Sequence, residues 1–97
     1  MMDLMQLREQ YGETILRISA SYGARNVRVF GSVVRGEVQL NSDLGLLITL
    51  DPDRSLLDLI AIKQDIEDLV GCPVEVVTEA AISSYVRERV LQEAVRL

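Results

Sequence analysis

Residues 27–50 read VRVFGSVVRGEVQLNSDLGLLITL, two runs rich in β-branched and aliphatic residues that are joined by a more polar turn. The first run, Val27 to Phe30, predicts a short strand, because β-branched and aromatic residues favour extended backbone. The alternation that follows Asp43 predicts a second strand over 43–50. Gly31 to Glu37 is predicted to form a turn with a short helix. The segment therefore forms two strands of a sheet and the connection between them.

Helical periodicity precedes and follows this segment. Apolar residues recur at intervals of three and four over about the first twenty residues, which predicts an amphipathic helix with a stop at Gly23. A second helix is predicted to begin at Ser55, which has capping-box spacing to Asp58, and to end at Gly71. Both helices are long enough to cover one face of a small sheet.

The remainder of the chain predicts one more strand and one more helix. The strand is Pro73 to Thr78, and the charged helix runs from Ala81 to about Arg96. Its inward-facing residues are predicted to be Ile82, Tyr85, Val86 and Val90. The order α-β-α-β-α-β-α predicts a single α/β (α+β) domain over 1–97, with a small mixed sheet packed by helices.

Composition excludes several classes of function. The 97 residues carry a net charge of −5, which argues against a nucleic-acid partner and against docking on an anionic membrane. One cysteine and no histidine exclude an internal disulfide, a Cys/His zinc site and a histidine-based dyad. No apolar run approaches a membrane span, and the first residues lack the pattern of a signal peptide. We expect a cytoplasmic protein, in which any metal would be a hard cation bound by carboxylates.

The turn after the first strand is a candidate anion site. A strand that ends in Gly31-Ser32 leaves backbone N–H groups and a hydroxyl at the start of the next helix, where phosphate groups bind well. Taken alone, Gly-Ser is more often an ordinary helix N-cap. The chemical interpretation therefore depends on the residues of the next two strands.

Carboxylates on those two strands could add a metal site. Ten residues separate Ser32 from Asp43, and positions 43 and 45 share one strand face. Two carboxylates at that spacing would chelate Mg²⁺ against a triphosphate, but the second position is Gly45. Glu75 alternates with valines on the third strand and is expected on the same face, where it could accept a proton. Each residue alone is better explained as a turn or surface residue; the combination favours nucleotide chemistry.

These residues resemble the minimal nucleotidyltransferases of the DNA polymerase β superfamily. Their pattern of Gly-Ser, about ten residues and Asp-x-Asp is similar to residues 29–50, and the later VEVVTE and YVRERVLQEAV are similar too. The resemblance implies that Gly31, Ser32 and Arg35 bind ATP. It implies that Asp43 and Glu75 are catalytic and hold Mg²⁺, as two ions in an intact site. The departure is Gly45, which occupies the position of the second aspartate.

The resemblance also implies a partner. Minimal nucleotidyltransferases of this size are similar to antitoxins that are paired with a HEPN-type ribonuclease toxin and transfer AMP from ATP to one of its tyrosines. Gly45 would impair transfer more than binding, so an antitoxin that acts by binding alone is the alternative. A nucleotidyltransferase for a small hydroxylated molecule is the least favoured hypothesis. Such enzymes usually carry an extra helical domain that holds the acceptor, and none is predicted here. Three origins would explain the glycine at position 45: a naturally inactive enzyme, a deliberate inactivation, or an active site that uses other ligands.

Overall fold

The computed structural model describes residues 3–37 and 44–97. In these ranges four strands form one mixed sheet in the order β3-β2-β1-β4. β1 lies antiparallel to both β2 and β4, and β2 lies parallel to β3. The strands are β1 (Ala24–Phe30), β2 (Leu44–Leu50), β3 (Val74–Thr78) and β4 (Val95–Arg96). The mixed sheet with its helices confirms the predicted fold class.

Helices cover the sheet and connect its strands. The α-helices are α1 (Leu4–Leu7), α2 (Glu13–Ser21), α3 (Ser32–Arg35), α4 (Leu56–Val70) and α5 (Arg87–Glu93). A π-helical turn, Arg8–Gly12, joins α1 to α2, and a 3₁₀ turn, Glu79–Ala81, follows β3. No helix in the described ranges has the length and apolar composition needed to cross a membrane.

The first predicted helix exists but is not regular. Asp3 caps it, since its carboxylate accepts from the Gln6 N–H at 2.8 Å while the Gln6 side chain accepts from the Asp3 N–H. The π-helical turn then widens the helix by one residue before α2 resumes, and Gly23 follows the helix end. Apolar spacing did not predict this turn, because intervals of three and four tolerate one extra residue.

The capping residues of α4 behave as predicted. Ser55 accepts from the Leu57 N–H at 3.2 Å, and the Asp58 carboxylate accepts from the Ser55 N–H at 3.0 Å. The helix ends at Gly71, whose backbone is left-handed. Ile62 and Ile66 on its inner face are fully buried. The cap and the stop of this helix could both be located from the sequence.

The last predicted helix is wrong at both ends. Residues 82–86 are not helical, and 84–86 of them form a turn. The helix α5 spans only Arg87–Glu93, and Val95–Arg96 form β4 beside β1. Tyr85, predicted to face inward, is 96% exposed, and Val86 is also exposed. The helix stops because Ala94 is extended, and β4 then supplies hydrogen-bond partners to an otherwise open edge of β1. The end of the chain is therefore an edge strand of the sheet, although its sequence has helical periodicity.

The core lies on one face of the sheet. Leu44, Leu46 and Ile48 are at most 1% exposed and belong to one cluster with residues of α2 and α4. Intervening residues of β2 point to the opposite face, towards the side of the sheet where α5 lies. That second face carries Gly45, and it is the face on which the sequence places a catalytic site.

Candidate functional site

The turn at Gly31 gives the site its first geometric feature. Its φ of 94° and ψ of −159° fall in a backbone region that is essentially restricted to glycine. This conformation turns the chain from β1 directly into α3, whose Val34 and Arg35 N–H groups donate to the Gly31 carbonyl at 3.1 and 3.3 Å. Ser32 occupies the first position of α3, where helical N–H groups have no intrahelical acceptor. Phosphate binding at this turn stays a prediction.

Three residues lie side by side across the sheet at this end. Gly45 pairs with Phe30 of β1 on one side and with Glu75 of β3 on the other. Residues paired in this way point to the same face of a sheet. The predicted position of Glu75, on the face of position 45, agrees with this register. Asp43, the predicted metal ligand, lies outside the described residues.

The ring of Phe30 covers Gly45. A Cβ atom added at position 45 would lie 2.8 Å from Cε2 and from Cζ of that ring. Real Cβ atoms do not approach carbon so closely, so the ring occupies the space in which a side chain at 45 would begin. Sequence reasoning treated Gly45 as a missing ligand only. The signal for the packing was an aromatic residue and a glycine at facing ends of two adjacent strands.

A groove of about 390 Å³ lies between this face and α5. Its volume is within the range of small-molecule sites, roughly 300–1,000 Å³. The lining is aromatic and aliphatic on the sheet side and carries two arginines and two glutamates. Its aromatic, glycine and charged lining residues are Phe30, Gly31, Arg35, Glu75, Arg89 and Glu93. The groove therefore joins the glycine turn and the predicted proton acceptor in one space.

Arg35, predicted to contact the nucleotide, lines the groove but is paired within the protein. Its guanidinium donates to Glu37 at 3.1 Å and to Glu93 of α5. The hydrogen bond to Glu37, followed by that to Glu93, raises the pKa of Arg35 above its usual value. The pair with Glu93 connects α3 to α5, and both of its residues line the groove. Two carboxylates neutralise this cation, which leaves it less free to bind phosphate.

The described residues do not fit a metal site built on two carboxylates. Position 45 offers no ligand, and the Phe30 ring occupies the space in which a side chain there would begin. Within residues 3–37 and 44–97, no three aspartate, glutamate, cysteine or histidine side chains come together as a metal site. Glu75 is exposed and forms no ion pair within those ranges. Divalent cations need several oxygens, so Glu75 by itself is not a binding site for one.

Comparison with known proteins identifies the family. Residues 13–97 match the family model described as the nucleotidyltransferase domain. The chain belongs to the nucleotidyltransferase family. The solved structure of a candidate minimal nucleotidyltransferase is 45% identical, covers 99% of this chain and 97% of its own, and superposes with a TM-score of 0.84. The protein adenylyltransferase MntA of Thermococcus cleftensis is 36% identical over 74 residues, which are 76% of this chain and 75% of MntA.

A more distant structure shares the fold of this nucleotidyltransferase. It is a chain from the crystal structure of a toxin–antitoxin with AMP-PNP, with a TM-score of 0.73 and 15% identity. The alignment covers 87% of the nucleotidyltransferase and 69% of that chain. Together the comparisons confirm the resemblance to minimal nucleotidyltransferases and make the chain an enzyme by family.

Proposed function

We propose that this nucleotidyltransferase is an antitoxin of the kind that transfers AMP from ATP to a tyrosine of a HEPN-type ribonuclease toxin, and that Gly45 impairs the transfer. A relative at 36% identity is named a protein adenylyltransferase, which supports protein as the acceptor. The shared fold with a toxin–antitoxin chain crystallised with AMP-PNP supports the pairing and the nucleotide.

The groove and the glycine turn beside it have separate roles in such a transfer. Gly31 and Ser32 hold the phosphates of ATP through backbone N–H groups and the hydroxyl. The tyrosine oxygen bonds to the α-phosphorus, the bond from that phosphorus to the bridging oxygen breaks, and pyrophosphate leaves. Glu75 takes the proton of the attacking hydroxyl, a role that suits an exposed carboxylate open to the groove. Mg²⁺ at Asp43 and Glu75 stays a prediction of the resemblance.

The position of the Phe30 ring over Gly45 is the observation that supports impaired AMP transfer. A removed carboxylate whose space stays open could be replaced by water, whereas a space filled by an aromatic ring excludes both ligand and water. Metal-assisted charge stabilisation is worth several kcal/mol in such reactions. Each ~1.4 kcal/mol lost costs tenfold in rate. Transfer should therefore be slowed by several orders of magnitude, while phosphate binding at the turn is retained.

The same ring favours one alternative, an antitoxin that neutralises its toxin by binding alone. Co-expression with the HEPN-type toxin separates the two modes, with growth and the intact mass of the recovered toxin as readouts. Asp43→Ala and its isostere Asp43→Asn are the informative variants. If transfer protects the cell, both variants abolish protection, and the AMP mass gain on the toxin disappears.

Protection that survives both Asp43 variants, on a toxin of unchanged mass, would establish the binding mode instead. No protection by the unaltered chain would refute the antitoxin role itself. Gel filtration of the purified pair gives the control, because neutralisation by binding requires a stable complex, which both Asp43 variants should still form.

A further inference from the structure

The groove contains one cation that no carboxylate of the described residues neutralises. Of its two arginines, Arg35 is paired with Glu37 and Glu93, whereas Arg89 forms no hydrogen bond or ion pair with any described residue. Arg89 lies on α5, is exposed and lines the groove together with Gly31. Its positive charge is therefore available to a ligand in the space beside the phosphate turn.

We infer that Arg89 is a phosphate-binding residue of this site and that it lets the groove bind a nucleoside triphosphate without a divalent cation. A guanidinium presents five donors in a planar fork that matches phosphate oxygens. It also supplies positive charge to the phosphates in a site where position 45 offers no metal ligand. The inference rests on the proposed function for the nature of the ligand, a nucleoside triphosphate.

The charges of the groove agree with this assignment. Arg35 and Glu93 cancel each other through their ion pair, which leaves Arg89 and Glu75 as the two charges of the described lining without an ion-pair partner there. Glu75 is suited to a hydroxyl and repels phosphate, so Arg89 is the group left to attract the triphosphate. One groove thus offers separate binding positions to an anion and to a hydroxyl donor.

Arg87 provides a matched control on the same helix. Residues two positions apart on an α-helix point about 200° apart. Arg87 accordingly lines a different hollow, on the other side of α5, with Glu88, Leu91 and Gln92. Arg87→Gln removes the same charge as Arg89→Gln from the same exposed helix, but not from the groove.

The test is the affinity for ATP, measured by calorimetry in EDTA and again in excess Mg²⁺. We expect the unaltered chain to bind ATP in EDTA. Arg89→Gln should weaken that binding about tenfold to a hundredfold, the usual effect of losing a charge-assisted hydrogen bond. Arg87→Gln should change it less than about twofold, and Arg89→Lys should lie between the two. Unchanged thermal unfolding of both glutamine variants excludes loss of fold.

Two results would overturn the inference: equal ATP affinities of Arg89→Gln and Arg87→Gln in EDTA, or binding by the unaltered chain only when Mg²⁺ is present. Either result would leave the antitoxin proposal intact, since a metal-dependent site could still act on the toxin. Conversely, Arg89-dependent binding in EDTA without protection from the toxin would refute the antitoxin proposal and retain the inference.

Discussion

Gly45→Ala adds a single methyl group at the point where the Phe30 ring already lies. The added carbon would be 2.8 Å from two ring carbons, and ordinary contact begins at 3.4 Å. The ring must therefore retreat by about 0.6 Å, the difference between those two distances. Its outer edge is the part that clashes, so the movement is a rotation of the Phe30 side chain towards the groove.

The expected cost is the balance of two opposing effects. Overpacking by one methyl group typically costs about 1–3 kcal/mol. Replacing glycine in a strand returns roughly 0.5–1 kcal/mol through the backbone. Gly45→Ala should therefore lower the free energy of unfolding by about 0–2.5 kcal/mol. In a Phe30→Val background the ring is gone, and the same substitution should be neutral or stabilising by up to ~1 kcal/mol.

Urea unfolding of the four proteins gives a double-mutant cycle, in which the individual cost of Phe30→Val cancels. We expect a coupling energy of about 1–3 kcal/mol between positions 30 and 45, which is the overpacking cost that Phe30→Val removes, with unchanged m-values. A Gly45→Ala effect of the same size in both backgrounds would refute the packing argument. It would also remove the reason for calling position 45 closed to a ligand.

Two further predictions concern ion pairs elsewhere in the fold. Glu79→Ala should lower the free energy of unfolding in urea by about 1–2 kcal/mol, because its partner Arg28 is only 15% exposed and has a buried Nη2 without a described partner. Asp51→Ala removes one side of a largely exposed ion pair and should cost at most about 0.5 kcal/mol, so equal costs would contradict the role of burial. The hydrogen bond from Lys63, followed by that from the Val74 N–H, lowers the pKa of Glu67 below 4.5. The stability that ionised Glu67 contributes is therefore complete above that pH and is lost as the pH falls through the lowered pKa. The unfolding free energies of the unaltered chain and Glu67→Gln should draw together as the pH falls from 7 to below 4.5, and a constant difference would contradict this.

Local signals predicted those parts of the fold that neighbouring residues determine. The α4 helix is an example, because Ser55 with Asp58 caps it and Gly71 ends it within the same stretch of chain. The face of Glu75 was predictable for a related reason, since strand alternation fixes it once the strand is placed. These features need no knowledge of the rest of the molecule.

Long-range packing decided what the sequence could not show. The end of the chain has helical periodicity, yet Val95–Arg96 leave α5 and pair with β1, because an open strand edge in space outweighs a weak helical preference. Tyr85 was predicted to be buried on the same periodicity and is 96% exposed. Neither outcome can be derived without the position of β1.

The candidate site was predicted in part. The glycine turn was recognised from its residue type, and the register of the sheet places Gly45 beside Glu75 as expected. The ring of Phe30 on Gly45 and the difference between Arg35 and Arg89 depend on side-chain contacts across separate elements. Sequence spacing indicates which residue types meet at a site, but it does not indicate which of their charges are paired with another described residue.

Impaired transfer at position 45 is tested most directly by the rate of AMP addition to the HEPN-type toxin, followed by intact mass with ATP and Mg²⁺. Gly45→Asp restores the carboxylate, and Gly45→Asn adds the same shape without the charge. Both variants must displace the Phe30 ring, at the same free-energy cost. That cost is smaller than the transition-state stabilisation that a restored metal ligand would supply. We predict that the mass gain is at least roughly tenfold faster with Gly45→Asp, which corresponds to a barrier lower by ~1.4 kcal/mol. Gly45→Asn should give no acceleration. Equal rates for the unaltered chain and both variants would contradict the impairment.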